Sequence, residues 1–160
     1  MKKFTKKAIR NAQTIWAEGI LSIGEAYRNN KDYKTIATEF INKHYGYNEG
    51  IVLFKPTLAS AEQFRDTFDK ALSYFIAGNP NFPEDLGFAI QPWVKIKFEN
   101  SGILILGRRA VAMGNYFFTN SNGNIVKVEY TFGYFLNVQD QIKINLHHSS
   151  IPYSSSSDKK

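Results

Sequence analysis

The chain contains no cysteine. Disulfides, thiolate nucleophiles and cysteine-based zinc sites are therefore excluded together. Histidine is scarce as well, with three in 160 residues. No apolar run approaches the roughly 18 residues of a membrane-spanning helix. The start, MKKFTKKAIRNAQ, is basic but is not followed by the apolar stretch of about 7–15 residues that a secretory signal needs. A cytoplasmic chain without a membrane partner is expected. Carboxylates do not cluster as a hard-metal cage requires. They fall mostly at helix starts or on outward strand positions, so no metal site is expected.

What is present suits one folded domain over residues 1–153. Hydrophobic residues make up 43% and charged residues 21%, an ordinary balance for a globular chain. Aromatics reach 15%, including 13 Phe and 9 Tyr, which points to a well-filled core or an aromatic-walled cavity. The net charge is +6, but the lysines gather at the ends (Lys2, Lys3, Lys6, Lys7, Lys159, Lys160). That pattern describes a solvated surface rather than a nucleic-acid site. The tail over 154–160, SSSSDKK after Tyr153, has no apolar residue to anchor it and is expected to be disordered.

The first half carries helical periodicity. Ile9, Ala12, Trp16, Ile20, Ile23 and Tyr27 recur at three- and four-residue intervals within 4–29. Asp32 is a candidate N-cap for a second helix that buries Ile36, Phe40 and Ile41. GIVLFKPT reads as a short strand stopped by Pro56. SAEQ, from Ser60 to Gln63, reads as a capping box opening a third helix with Phe64, Phe68, Ala71, Leu72 and Phe75 inward.

From Gly87 onward the period changes to two. VKIKFEN alternates, ILILGRRAVAMGNYFFT is long for one strand, and Gly107 and Gly114 mark places for a bend or bulge. NSNGN is a hairpin turn. IVKVEYTFGYF places Val126, Val128, Tyr130, Phe132 and Tyr134 on one face, and IKINLHHSSIPY forms the last strand. Helices followed by a meander argue an α+β fold. A strongly bent, mostly antiparallel sheet with three helices on its concave face makes a cone with a pocket inside.

The last strand holds two of the three histidines. Ile142, Ile144 and Leu146 share a face, and unbroken alternation puts His148 and Ser150 with them. His147 and Ser149 then point outward; a one-residue bulge would reverse the assignment. Adjacent strand residues face opposite ways, so His147 and His148 are poorly placed to share an ion, and His44 lies far off in sequence. A histidine beside hydroxyls can also handle protons or hold an oxyanion. No acid is near in sequence to complete a hydrolase triad.

LHHSSIPY resembles the C-terminal motif of the iota-class carbonic anhydrases. IVLFKPT, ALSYFIAGNPNFPEDLGFAIQPW, AMGNYFFT and VEYTFGYF resemble the same family in the same order, covering residues 14–153. The resemblance implies a cone-shaped fold similar to nuclear transport factor 2 (NTF2-like, SnoaL-like). It also implies reversible hydration of CO2 to bicarbonate without a metal cofactor. Its threonine, tyrosine, histidine and serine fall on Thr57, Tyr74 and the HHSS segment. Periodicity favours His148 with Ser150 as the catalytic pair and keeps His147 with Ser149 as the alternative.

Tyr130 and Asn115 are further candidates for the pocket lining. Glu129 is on the outward parity, which leaves no obvious carboxylate base for an isomerase. A homodimer through the open sheet face is expected by analogy. The competing reading is a non-catalytic binding or dimerisation module on the same cone.

Overall fold

The computed structural model describes residues 3–155. The expected disordered tail lies outside the described residues from residue 156 on.

Helix α1 spans Lys6–Arg28 and α2 spans Tyr33–His44. Thr5 caps α1 by accepting from the Ala8 N–H at 3.1 Å, and Asp32 caps α2 by accepting from Thr35 N–H at 3.1 Å. Ile9, Trp16, Ile20 and Ile23 of α1 are buried, as their spacing predicts, whereas Tyr27 at the end is half-exposed. Phe40 and Ile41 of α2 are buried.

Strand β1, Leu53–Lys55, is short because Pro56 follows it. The third helix differs from the expectation. It begins at Phe68, not Ser60, and runs to Ile76 with Thr67 as its N-cap. Residues 58–66 are irregular because a stronger partner takes their backbone donors. The Glu84 carboxylate accepts from the N–H groups of Ser60, Ala61 and Glu62 at 2.9–3.0 Å. Three such bonds hold its pKa down at about 2.

Arg65 anchors the same segment. Its side chain is 0% exposed and pairs with Asp85 through two 2.7 Å bonds. Phe64, expected inward, is exposed.

A 3₁₀ turn at Phe88–Ile90 precedes the meander of β2 (Trp93–Leu106), β3 (Arg109–Asn120), β4 (Ile125–Leu136) and β5 (Ile142–Ser150). The long apolar run is two strands, divided at Gly107, whose φ of 64° suits a tight reversal. Gly114 faces a bulge in β2 between Asn100 and Gly102; a Cβ there would sit 2.0 Å from the Glu99 carbonyl oxygen.

The open sheet has the order β1-β5-β4-β3-β2 and is antiparallel except for β1, which runs parallel to β5. The helices pack on one face, and the expected α+β class holds. Among the described residues no helix is long and apolar enough to cross a membrane.

Candidate active site

The site is set by one extra residue. Gly133 of β4 pairs with Leu146, but its neighbour Tyr134 pairs with Ile144. Asn145 is therefore an unpaired bulge residue, and the strand changes parity across it. Gly133 makes the bulge possible, since a Cβ there would lie 2.7 Å from Leu146 Cβ. Ile144 faces inward, and after the bulge His147 and Ser149 do so as well, at 3% and 2% exposure.

The expectation that His148 and Ser150 face the interior is thus corrected. His148 is exposed on the outer face, in register with Lys55 and Thr131. Ser150 lies on the same side and donates to Glu129 at 2.7 Å.

His147 is clamped. Its imidazole lies nearly parallel to Phe54, with centroids 4.7 Å apart, and to Phe132 at 4.0 Å. Phe54 is its register partner on β1. Burial between these rings pushes the imidazole pKa down to about 3, so the ring is neutral at ordinary pH. Both nitrogens are engaged. Nδ1 is 2.9 Å from Tyr45 Oη, and Nε2 is 3.0 Å from Ser149 Oγ and 3.2 Å from Tyr116 Oη. Tyr116 and Ser149 also share a short hydrogen bond.

These groups border a small cavity of about 10 Å³, on the order of the room one water needs. Its polar lining is Thr57, Tyr74, Tyr116, His147 and Ser149. Its apolar wall includes Trp16, Phe54, Phe75 and Phe88. Tyr74 Oη accepts from the Leu58 N–H at 3.4 Å, which ties α3 to the turn that carries Thr57. Burial raises the phenol pKa values of Tyr74 and Tyr116, so both remain protonated hydrogen-bond donors. Among the described residues no carboxylate, lysine or arginine borders the cavity.

Of the residues expected from sequence, the structure therefore gathers Thr57 and Tyr74 with the alternative pair His147 and Ser149. Tyr130 is buried and points inward, but its hydroxyl donates to Asn100 at 2.9 Å, outside this cavity. Asn115 is on the outer face, between Glu99 and Glu129 in register, and is not a pocket residue. Its neighbour Tyr116 takes the inward position.

Tyr116 and Tyr45 were missed. The segment AVAMGNYFF is apolar at both parities, so alternation could not choose between them. Tyr45 ends a helix where no periodicity applies. His44, the third histidine, packs against Phe40 at 4.7 Å, and burial lowers its pKa to about 4. Among the described residues no three histidines or acids are grouped to hold a metal.

Comparison with known proteins decides the family. The profile described as metal-independent carbonic anhydrase matches residues 7–151. The chain belongs to the metal-independent carbonic anhydrases. It is an enzyme of reversible CO2 hydration, of the iota class. A metal-independent carbonic anhydrase of Nostoc sp. (strain PCC 7120 / SAG 25.82 / UTEX 2576) is 38% identical over 152 residues, which is 93% of this chain and 74% of that protein.

A cyanobacterial iota-carbonic anhydrase, solved in complex with bicarbonate, superposes on this carbonic anhydrase with a TM-score of 0.93. The two are 36% identical, and the match covers 96% of this chain and 95% of the other. A Xanthomonas campestris protein named for a calcium/calmodulin dependent protein kinase II association domain reaches a TM-score of 0.55 at 17% identity, over 97% of each chain. That likeness concerns the fold alone.

Proposed function

We propose that CO2 hydration takes place in the cavity between Thr57, Tyr74, Tyr116, His147 and Ser149, and that His148 and Ser150 have no part in it. The observation that carries this reading is the meeting of these five polar side chains, from four separate parts of the chain, behind an aromatic wall. The solved relative of the same fold binds bicarbonate, and the same ligand suits this cavity. The Trp16, Phe54, Phe75 and Phe88 wall accommodates apolar CO2 and excludes bulk water. In that dry setting, hydrogen bonds to a developing negative oxygen count for more than in water.

Hydration forms a bond from a water oxygen to the CO2 carbon. One C=O electron pair moves onto oxygen, and the water gives up a proton. The hydroxyls of Thr57 and Tyr74, with the one proton that the Tyr116–Ser149 pair leaves free, orient the water and donate to the oxygen that becomes anionic. Such bonds strengthen as charge develops.

His147 acts as a neutral organiser of Ser149 and Tyr116. With a pKa near 3 it does not retain the released proton at neutral pH, which passes to solvent. Metal carbonic anhydrases lower the pKa of water to about 7. This site relies on orientation and dipoles, so turnover is modest. The free space fits about one water, so the lining side chains move apart when CO2 enters.

The same reading includes pairing of two copies through the outer sheet face. Leu104, Val111, Gly133, Leu146 and Leu53 form one continuous row across all five strands. Leu104 and Leu53 are 57% and 61% exposed. An apolar row of this kind, exposed at its two ends, suits a self-complementary contact.

Stopped-flow CO2 hydration by Ser149→Ala and Thr57→Val tests the site. Loss of most of the activity in both supports it; wild-type rates in both refute it.

A further inference from the structure

One buried chain of hydrogen bonds reaches His147 at Nδ1, the ring nitrogen that does not meet Ser149 and Tyr116. Trp16 Nε1–H donates to Tyr45 Oη at 3.2 Å, and Tyr45 Oη lies 2.9 Å from His147 Nδ1. Trp16 and Tyr45 are each 2% exposed.

The direction of this chain follows from donor and acceptor counts. An indole nitrogen only donates, so the Tyr45 oxygen accepts there. The Tyr45 hydroxyl proton then needs an acceptor, and the remaining recorded partner is Nδ1 of His147. If Nδ1 carried a proton, that proton and the Tyr45 hydroxyl proton would compete, leaving a buried donor unmatched, which is costly. Nδ1 therefore accepts, and a neutral imidazole must carry its proton on Nε2. That proton points at Ser149 Oγ, 3.0 Å away, and Tyr116 Oη, 3.2 Å away. Ser149 and Tyr116 bring two hydroxyl protons and use one between them, so the other is free for the cavity.

We propose that Tyr45, backed by Trp16, is a positioning residue that fixes His147 as the Nε2–H tautomer, so that Ser149 and Tyr116 present a hydrogen-bond donor to the anionic oxygen of bicarbonate. The inference rests on the cavity being the bicarbonate site. It adds Tyr45, which does not line the cavity, gives the wall residue Trp16 a second role, and assigns the two control over the polarity of the network. It also means that His147 cannot take a proton from the cavity at Nε2, which is already protonated. A histidine's tautomer is set by the partner of its other nitrogen, and here that partner is a tyrosine held by a tryptophan.

The test is 15N NMR of histidine-labelled wild-type protein at neutral pH. The expected result is an unprotonated Nδ1 and a protonated Nε2 for His147, assigned by comparison with His147→Gln. The reverse pattern overturns the inference whatever the mutants do. Tyr45→Phe keeps the ring and removes the hydroxyl that meets Nδ1. It is expected to move the Trp16 indole resonance and the His147 Nδ1 resonance together. It should lower kcat by roughly 10- to 100-fold, by analogy with the loss of an outer partner of a metal-ligating histidine, with little change in KM.

A packing role alone would lower the melting temperature and leave kcat at the wild-type value. Unchanged kcat in folded Tyr45→Phe thus also overturns the inference. Ser149→Ala and Thr57→Val separate this outcome from failure of the site reading. If both keep wild-type rates, the cavity is not the site. If both lose activity while Nδ1 carries the proton, only the tautomer assignment fails.

Discussion

Ser150 donates to Glu129 at 2.7 Å on the outer face of the sheet, while Ser149, one residue before it, meets Tyr116 inside. Alternation along β5 separates the two environments, the bulge at Asn145 decides which residue takes which, and the faces are experimentally distinct. Ser149→Ala should lower CO2 hydration by roughly 10²-fold, as loss of one donor to a developing oxyanion does, and His147→Ala, which removes the group that orders that donor, should lower it as well. His148→Ala and Ser150→Ala should stay within about twofold of wild type, the usual reach of surface changes. Side-by-side kinetics of the four variants checks the assignment of faces.

Acid should destabilise the protein through two histidines. The pKa values of His147 and His44 are lowered from 6.5 to about 3 and about 4, in both cases chiefly by burial. Between those values and about 6.5 the unfolded chain binds protons that the folded chain does not. Stability is therefore fully present above pH 6.5 and is lost as pH falls toward 4. The limiting slope is about 1.4 kcal/mol per pH unit for each histidine. Urea titrations from pH 7 to pH 4.5 should show it, and His44→Gln should remove about half of it.

The Arg65–Asp85 pair holds the loop that carries Thr57 against α3. Both side chains are 0% exposed, and Ser73 also donates to Asp85. Asp85→Ala leaves a buried guanidinium with only its longer 3.4 Å contact to the Glu84 carboxylate and should cost about 3–5 kcal/mol. For a domain of this size that lowers Tm by roughly 6–20 °C. The double change Arg65→Met with Asp85→Leu should cost less than Asp85→Ala, because it leaves no unpaired charge. Thermal melts of the two variants decide this.

Pairing through the outer sheet face predicts a particle of twice the 18.3 kDa chain mass. Leu104→Lys combined with Met113→Lys places charge on that face at positions 57% and 56% exposed, where the fold tolerates it. Sedimentation velocity should show the wild type as a dimer and the variant as a monomer with the same melting profile. A wild-type monomer at micromolar concentration removes this part of the account.

The helices α1 and α2, the strand at Leu53 and the last two turns of the meander were legible because each depends on local periodicity or a turn residue, whereas the first hairpin was misjudged: ILIL continues the strand begun at Trp93 through a bulge and the chain turns at Gly107. The start of α3 was not. Ser60 and Gln63 have the spacing of a capping box, yet Glu84, more than twenty residues away, takes the backbone donors of that segment. The inward pair on β5 was hidden for a related reason. Alternation is a local rule, and the bulge that breaks it is a property of the pairing between Gly133 and Leu146. The glycine inside TFGYF was the one sign of it in the sequence. Thr57 and Tyr74 were placed by resemblance to a family and were then found lining the same cavity. Tyr116 sits on a strand that is apolar on both faces, so only the fold could tell it from Asn115.

The central claim is CO2 hydration without a metal in the cavity around His147 and Ser149. The most direct measurement is stopped-flow CO2 hydration by chelator-treated protein, with metal content assayed on the same sample and Ser149→Ala measured in parallel. The account predicts activity in metal-free wild type and its near loss in Ser149→Ala. Activity that returns only with an added metal, or survives unchanged in Ser149→Ala, would contradict it.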